Sequence, residues 1–259
     1  MTIQALVIGI GSGNPDHLTR EAVAALNQVD VFLVADKGAA KHDLVELRKE
    51  ICRAVITHDD YRFVEVPDPE RGADRERNSV EYQSGVAAWH EARARRYAEI
   101  IATEVGDGGT IGFLVWGDPA IYDSTIRIVD LIKNHAVDLD LAVIPGISSI
   151  QLLAARHKII LNRVGEPIHV TTGRRLLDEY SPALGDVVVM LDSDLACSEL
   201  LDQFGGLTIY WAAQLGLPDE SLIAGRLSDV IKEIRAKRAA IRELRGWVMD
   251  TYLLRPSET

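Results

Sequence analysis

Leu114-Val115-Trp116-Gly117-Asp118-Pro119-Ala120-Ile121-Tyr122-Asp123-Ser124 decides the fold of this chain. The apolar run Ile111–Trp116 predicts a buried strand, and an amphipathic helix is predicted from about Ser124. Between them lies Gly-Asp-Pro, a sharp turn at the carboxyl end of the strand. Ligands of open α/β sheets bind outside the carboxyl ends of strands. Asp118, on a backbone bent by Gly117 and stiffened by Pro119, is thus placed to hold a ligand hydroxyl or to face a cation.

Outward from this turn, strands and helices alternate. Strands are predicted at Ile3–Ile8, Val31–Ala35, Arg62–Val66 and Leu139–Ile144, with helices at Leu18–Gln28, Ala40–Cys52, Val80–Val105 and Ser124–Asn134, and one more after Pro145-Gly146. Such alternation implies a largely parallel sheet covered on both faces. The polar stretch Asn162–Pro167 carries Gly and Pro and reads as a linker. Beyond it the pattern restarts, with strands at Ile168–Thr171, Val187–Leu191, Leu207–Trp211 and Val248–Leu254 and helices at Ser193–Gln203 and from Leu227 to Arg238 or longer. The expectation is an α/β protein of two domains, 1–163 and 164–259, with a small-molecule site in the cleft between them.

The first turn, Gly9-Ile10-Gly11-Ser12-Gly13-Asn14-Pro15, invites a dinucleotide reading. That fingerprint needs its third glycine three positions after the second, at a helix mouth. Asn14 stands there instead, and Pro15 removes an amide donor. The turn therefore reads as a structural turn or a small-molecule contact. Two further turns lie at strand ends. Asp36-Lys37-Gly38 is a solvated turn or a substrate-facing pair, and Pro145-Gly146-Ile147-Ser148-Ser149 offers hydroxyls and amides to a helix cap or a ligand. Arg174 and Arg175 sit at a strand end, where they are either exposed or bind a polyanion.

Charge and composition narrow the function. Lysine plus arginine is 28 and aspartate plus glutamate 39, a net charge of −11, without the basic footprint of a nucleic-acid protein. No apolar run reaches membrane-spanning length and no basic leader precedes the first strand, so a cytoplasmic protein is expected. Cys52 and Cys197 match no metal or disulfide spacing, nor do the histidines, and no metal is expected. Asp192 and Asp194 around Ser193 are open to two readings, helix capping and a metal pair.

Taken together, Gly9-x-Gly11-x-Gly13-x-Pro15-x-x-Leu18-Thr19, Gly117-Asp118-Pro119 and Pro145-Gly146-Ile147-Ser148-Ser149, in this order, resemble the tetrapyrrole methylases. Within that family, Tyr61–Arg71, Phe113–Pro119, Thr172–Arg175, Met190–Asp192 and Gly246–Arg255 look most like a deacetylating member. The chain departs from the broad family at Ser12, where many members carry Pro, and at Trp116, where many carry Gly. The resemblance implies two α/β domains of the tetrapyrrole methylase type and S-adenosylmethionine as cofactor, leaving as S-adenosylhomocysteine. It implies methylation of a ring carbon of a corrin precursor with release of acetate. Carried over, Gly117, Asp118, Ile121, Ser148, Ser149, Met190, Leu191 and Ala213 would contact the cofactor. Asp36, Tyr122 and Asp123 are the candidates for the base and oxyanion donors, and Lys37, Arg174 and Arg175 for substrate carboxylates. A homodimer acting on a small-molecule tetrapyrrole, with neither nucleic acid nor membrane as partner, is expected. The competing readings are a relative that methylates ribosomal RNA or a translation-factor residue, and a non-catalytic cofactor-binding protein.

Overall fold

The computed structural model describes residues 2–36, 42–69, 79–106 and 108–257, with the side chains of all of these except 36, 42 and 79–83. The chain folds into two compact units, Met1–Ile147 and Ser148–Thr259.

In the first unit, β1 (Ile3–Gly9), β2 (Val31–Asp36), β3 (Arg62–Pro67), β4 (Thr110–Val115) and β5 (Leu139–Ile144) form a sheet in the order β3-β2-β4-β1-β5. Every pairing is parallel. Four helices cover it: α1 (Arg20–Leu26), α2 (His42–Val55), α3 (Ser79–Glu104) and α4 (Thr125–Ile132). Side chains alternate across a strand, and β1 shows it. Leu6 and Ile8 join Leu26, Ile51 and Cys52 of α1 and α2, whereas Ala5 and Val7 join Tyr97, Ile101, Ile128 and Ile132 of α3 and α4. The near-continuous apolar strands β1, β2 and β4 are thus buried on both faces, whereas the edge strands β3 and β5 are partly exposed.

The pairing of β2 with β4 is short. It comprises Val31–Ile111 and Phe32–Gly112 and stops there. The chain leaves β2 through α2 on one face and leaves β4 through α4 on the other. That reversal makes the carboxyl ends of β2 and β4 the switch point of the sheet, where α/β folds open a crevice.

The second unit carries α5 (Ser149–His157), β6 (Ile168–Thr172), α6 (Gly173–Glu179), β7 (Asp186–Met190), α7 (Leu201–Phe204), β8 (Thr208–Ala213), β9 (Ser221–Arg226), α8 (Leu227–Arg245) and β10 (Asp250–Arg255). Its sheet runs β6-β7-β10-β8-β9 and is mixed: β6 and β7 are parallel, the other pairs antiparallel. Trp211 and Tyr252 fill its core with Leu176, Ile234 and Val189.

Three differences from the sequence reading have physical reasons. The units divide at Ile147/Ser148, one helix before the expected linker at 162–167, because α5 packs on β8, β9 and β10. The helix expected over Ser193–Gln203 is a 3-10 turn, Ala196–Leu200, followed by the short α7. Leu195 is left-handed (φ 59°), so no α-helix runs through it, and the Asp192 side chain caps the turn by accepting from the amides of Asp194 (3.1 Å) and Ala196 (2.8 Å). Finally, β9 and α6 carry no clear sequence signal: Gly173 and the two arginines resemble a loop but begin a helix.

Candidate functional site

In the first unit the turns after β1, β4 and β5 meet through their backbones. A Cβ at Gly146 would lie 2.1 Å from the Gly117 carbonyl oxygen, and one at Gly9 would lie 2.6 Å from the Gly146 nitrogen. Only glycine permits that approach. Gly117 donates to the Gly11 carbonyl at 2.7 Å and accepts from the Gly11 amide at 3.4 Å, while the Ile10 amide donates to Val115. The amides of Ile10 and Gly11 thus already have carbonyl partners and do not form a phosphate cradle. This disposes of the dinucleotide reading by geometry as well as by spacing.

Asp118 ties the arrangement together. One carboxylate oxygen accepts from the Ala120 amide at 2.8 Å and the other from the Gly146 amide at 3.0 Å. Each oxygen keeps a free lone pair, so the side chain both fixes two turns and can accept from a ligand. Beyond it, Ile121 is half-buried, and Tyr122 is 46% exposed with φ at 52°. A bulky residue at positive φ costs about 1–3 kcal/mol and persists only where its surroundings impose it. Asp123 is half-buried and accepts from the Thr125 amide at 2.6 Å. Lys37 and the side chain of Asp36 lie outside the described residues.

The second unit presents its own strand ends. Leu191, directly after Met190 of β7, has φ at 51° and is 64% exposed. Gln214, directly after Ala213 of β8, has φ at 54°, is fully buried, and accepts from the Met249 amide at 2.9 Å. Two of the expected cofactor segments of this unit therefore end in a left-handed, non-glycine residue. Ala213 itself is buried in the core. Ser148 is buried and forms a capping box with Gln151, accepting from its amide and donating to its side-chain oxygen at 2.8 Å. Capping therefore occupies Ser148, and half-buried Ser149 begins α5.

Other sequence candidates resolve plainly. Arg174 and Arg175 are exposed on α6, and Arg175 is ion-paired with Glu179 one turn on. That pair and the Thr171 hydroxyl hold the Glu179 carboxyl down at about 2. Asp192 is buried and accepts from the Tyr252 hydroxyl at 2.5 Å, which favours capping and core structure over a metal pair. Cys52 and Cys197 are buried, and burial pushes both thiols up to about 12. Among the described residues no group of three metal-type side chains converges.

Sequence reasoning singled out Trp116 but missed the helix side chains that share its crevice between β2 and β4: Arg48, Arg93 and Tyr97. The signal was helical spacing. Leu44 and Arg48 are four apart, as are Trp89, Arg93 and Tyr97, so each set shares one helix face.

Comparison with known proteins gives these turns a context. The sequence profile of the Tetrapyrrole (Corrin/Porphyrin) Methylases matches residues 5–231. A Sinorhizobium protein named precorrin-6A synthase [deacetylating] is 46% identical over 251 residues, 96% of this chain and 94% of that one. The crystal structure of a Corynebacterium diphtheriae protein described as cobalamin synthesis related (CobF) is 34% identical, covers 100% of both chains and superposes with a TM-score of 0.84. Uroporphyrin-III C-methyl transferase from Thermus thermophilus, complexed with S-adenyl homocysteine, is similar in fold alone: 18% identity, a TM-score of 0.59, and 97% and 91% of the two chains covered. With the profile spanning most of its length, its two sheets and its interlocked glycine turns, the chain belongs to the tetrapyrrole (corrin/porphyrin) methylases.

Proposed function

We propose that the chain is an S-adenosylmethionine-dependent C-methyltransferase that converts precorrin-5 to precorrin-6A, methylating ring carbon C-1 and releasing acetate, in aerobic cobalamin biosynthesis. The observation that carries this reading is the 46% identity to a precorrin-6A synthase along almost the whole of both chains.

The residues present suit the cofactor. Exposed Leu191 and Tyr122, both held at positive φ, offer apolar surface at strand ends, and Asp118 keeps acceptor capacity for a ribose hydroxyl or an ammonium group. Gly117, Asp118 and Ile121 of the first unit and Ser148, Ser149, Met190, Leu191 and Ala213 of the second are assigned to it. When bound, S-adenosylmethionine supplies an electrophilic methyl group.

Deacetylation asks more of the protein. Water adds to the acetyl carbonyl, the carbon–carbon bond breaks, acetate leaves, and the electron pair stays on the ring carbon that is methylated. The step needs a base near water and donors for the oxyanion. Asp123 is assigned as the base and Tyr122 as a donor, with Asp36 as a further candidate, and Lys37 is assigned to substrate carboxylates. Orientation alone supplies about 7–11 kcal/mol to such a step, which accounts for a site built on strand ends and glycine-locked turns. We further propose a cytoplasmic homodimer. Arg174 and Arg175 are assigned to substrate carboxylates, Arg175 by exchanging its pairing with Glu179.

The test is a mass spectrum of the protein incubated with precorrin-5 and S-adenosylmethionine. The expected product has gained one methyl group and lost one acetyl group, with one equivalent each of acetate and S-adenosylhomocysteine. Methylation without acetate release, or turnover of a nucleic acid or protein instead, overturns the reading.

A further inference from the structure

The crevice between the carboxyl ends of β2 and β4 encloses a cavity of about 160 Å³ that the cofactor assignment does not use. Leu33, Val34, Phe113 and Leu114 wall it where the two strands cease to pair. The divergence leaves the Leu114 carbonyl without a β2 partner, and Arg48 of α2 fills the gap. Its Nε donates to Leu114 at 3.3 Å and its Nη1 to Leu44 at 2.9 Å. Its guanidinium lies 4.8 Å from the centre of the Trp116 ring.

Around this cavity two guanidiniums and two carboxylates are unevenly paired. Arg93 is paired with Asp68 at 2.9 Å and stacked 4.6 Å from the Trp89 ring. Asp123 faces the cavity, accepts from the Thr125 amide and favours the charged form of Arg48 across it, without a direct ion pair among the described residues. Arg48 has no ion pair among the described residues, and burial pushes its guanidinium down to about 10. Beside it the Trp116 indole nitrogen is buried with no hydrogen-bond partner. A buried donor left unmade costs free energy, and a buried cation costs more. One small anion satisfies both, since Arg48 keeps guanidinium donors beyond those given to Leu114 and Leu44. The apolar walls then select an anion with a short alkyl group over an inorganic one.

We propose that this cavity binds a short-chain alkyl carboxylate, its carboxylate on Arg48 and the Trp116 indole N–H and its carbon chain against Leu33, Val34 and Phe113. Two sources share this chemistry: the acetate released in the proposed reaction and a pendant carboxylate arm of the substrate. The inference deepens the proposed function and rests on it for the source, but binding is measured without turnover.

The experiment is a titration of the full chain with sodium acetate and sodium propionate against matched sodium chloride, following the Trp116 indole N–H resonance. Wild type is expected to show a saturable shift with either carboxylate and none with chloride. Arg48→Met should weaken binding about tenfold or more. Trp116→Phe keeps the ring and loses the donor; because this removes the reporter, its affinity is read by acetate line broadening, and the same direction is expected. Kinetics then distinguish the sources. A substrate arm makes acetate competitive with substrate and raises KM in Arg48→Met. Released acetate makes inhibition non-competitive and lowers kcat with KM unchanged. Absence of a saturable shift in folded wild type, or an equal shift with chloride, overturns the proposal; acetate release by that same protein would leave the proposed function standing.

Discussion

In the first unit the strand-end turns lock backbone against backbone through Gly9, Gly11, Gly117 and Gly146. In the second unit the equivalent positions are Leu191 and Gln214, bulky residues forced to positive φ and anchored from below by buried polar side chains. Both units thus hold loops in fixed shapes at the ends of strands, one by removing side chains and the other by burying polar ones, Asp192 next to exposed Leu191 and Gln214 itself. Each design tolerates change in a different place. A glycine lock fails on the addition of one methyl, whereas a side-chain anchor fails when its polar group is removed.

Gly146→Ala strikes the first kind of lock hardest. Its Cβ would lie 2.1 Å from a backbone oxygen that has no rotamer to move away. A loss of about 4 kcal/mol or failure to fold is expected by denaturant titration. A change within about 0.5 kcal/mol, the size of an ordinary surface substitution, would show that the turns are loosely packed.

Asp192→Ala makes the matching test in the second unit. It removes the acceptor of the Tyr252 hydroxyl and of two amides and opens space beside Gly173, whose hypothetical Cβ would sit 2.4 Å from the Asp192 carboxyl carbon. About 3 kcal/mol of destabilisation is expected. A Phe at Tyr252, which removes the donor rather than the acceptor, should cost clearly less.

Asp118→Ala separates the two functions of one side chain. Freeing the Gly146 and Ala120 amides should cost about 1–3 kcal/mol, with the fold retained. Affinity for S-adenosylhomocysteine should fall in the folded protein when measured by calorimetry. Full stability with normal affinity would remove Asp118 from both assignments.

The smallest effect expected is that of acid. Arg175 and Thr171 hold the Glu179 carboxyl at about 2, below its ordinary 4.5. A depressed carboxyl stabilises the fold fully above its unfolded value, and this is lost as pH falls from about 4.5 toward 2. The group is partly exposed and screened by solvent, so the contribution is small. Arg175→Gln should flatten that part of the stability–pH curve by slightly lowering stability at neutral pH, with stability near pH 2 unchanged.

The same contrast between locks and anchors explains what was legible in the sequence. Glycine locks are written as glycines at turn spacings, so the turns after β1, β4 and β5, the parallel first sheet and its strand boundaries could be read from patterns. Side-chain anchors leave no such mark. Nothing in Met190-Leu191-Asp192 states that Leu191 is left-handed or that Asp192 reaches Tyr252, sixty residues away in sequence. Strand β9 (Ser221–Arg226) went unread because Gly225 and the polar residues around it weaken the strand pattern. The Arg48–Trp116 contact joins α2 to the end of β4, a pairing set by the crossover of the sheet, and no local window contains it.

Turns locked to one another in this way should serve a sulfonium cofactor rather than a dinucleotide. Calorimetry of the full chain with S-adenosylhomocysteine and, separately, with NAD tests this most directly. Saturable heat is expected with S-adenosylhomocysteine at one site per chain, lost in folded Asp118→Ala, and none with NAD. Saturable NAD binding with no response to S-adenosylhomocysteine would contradict it.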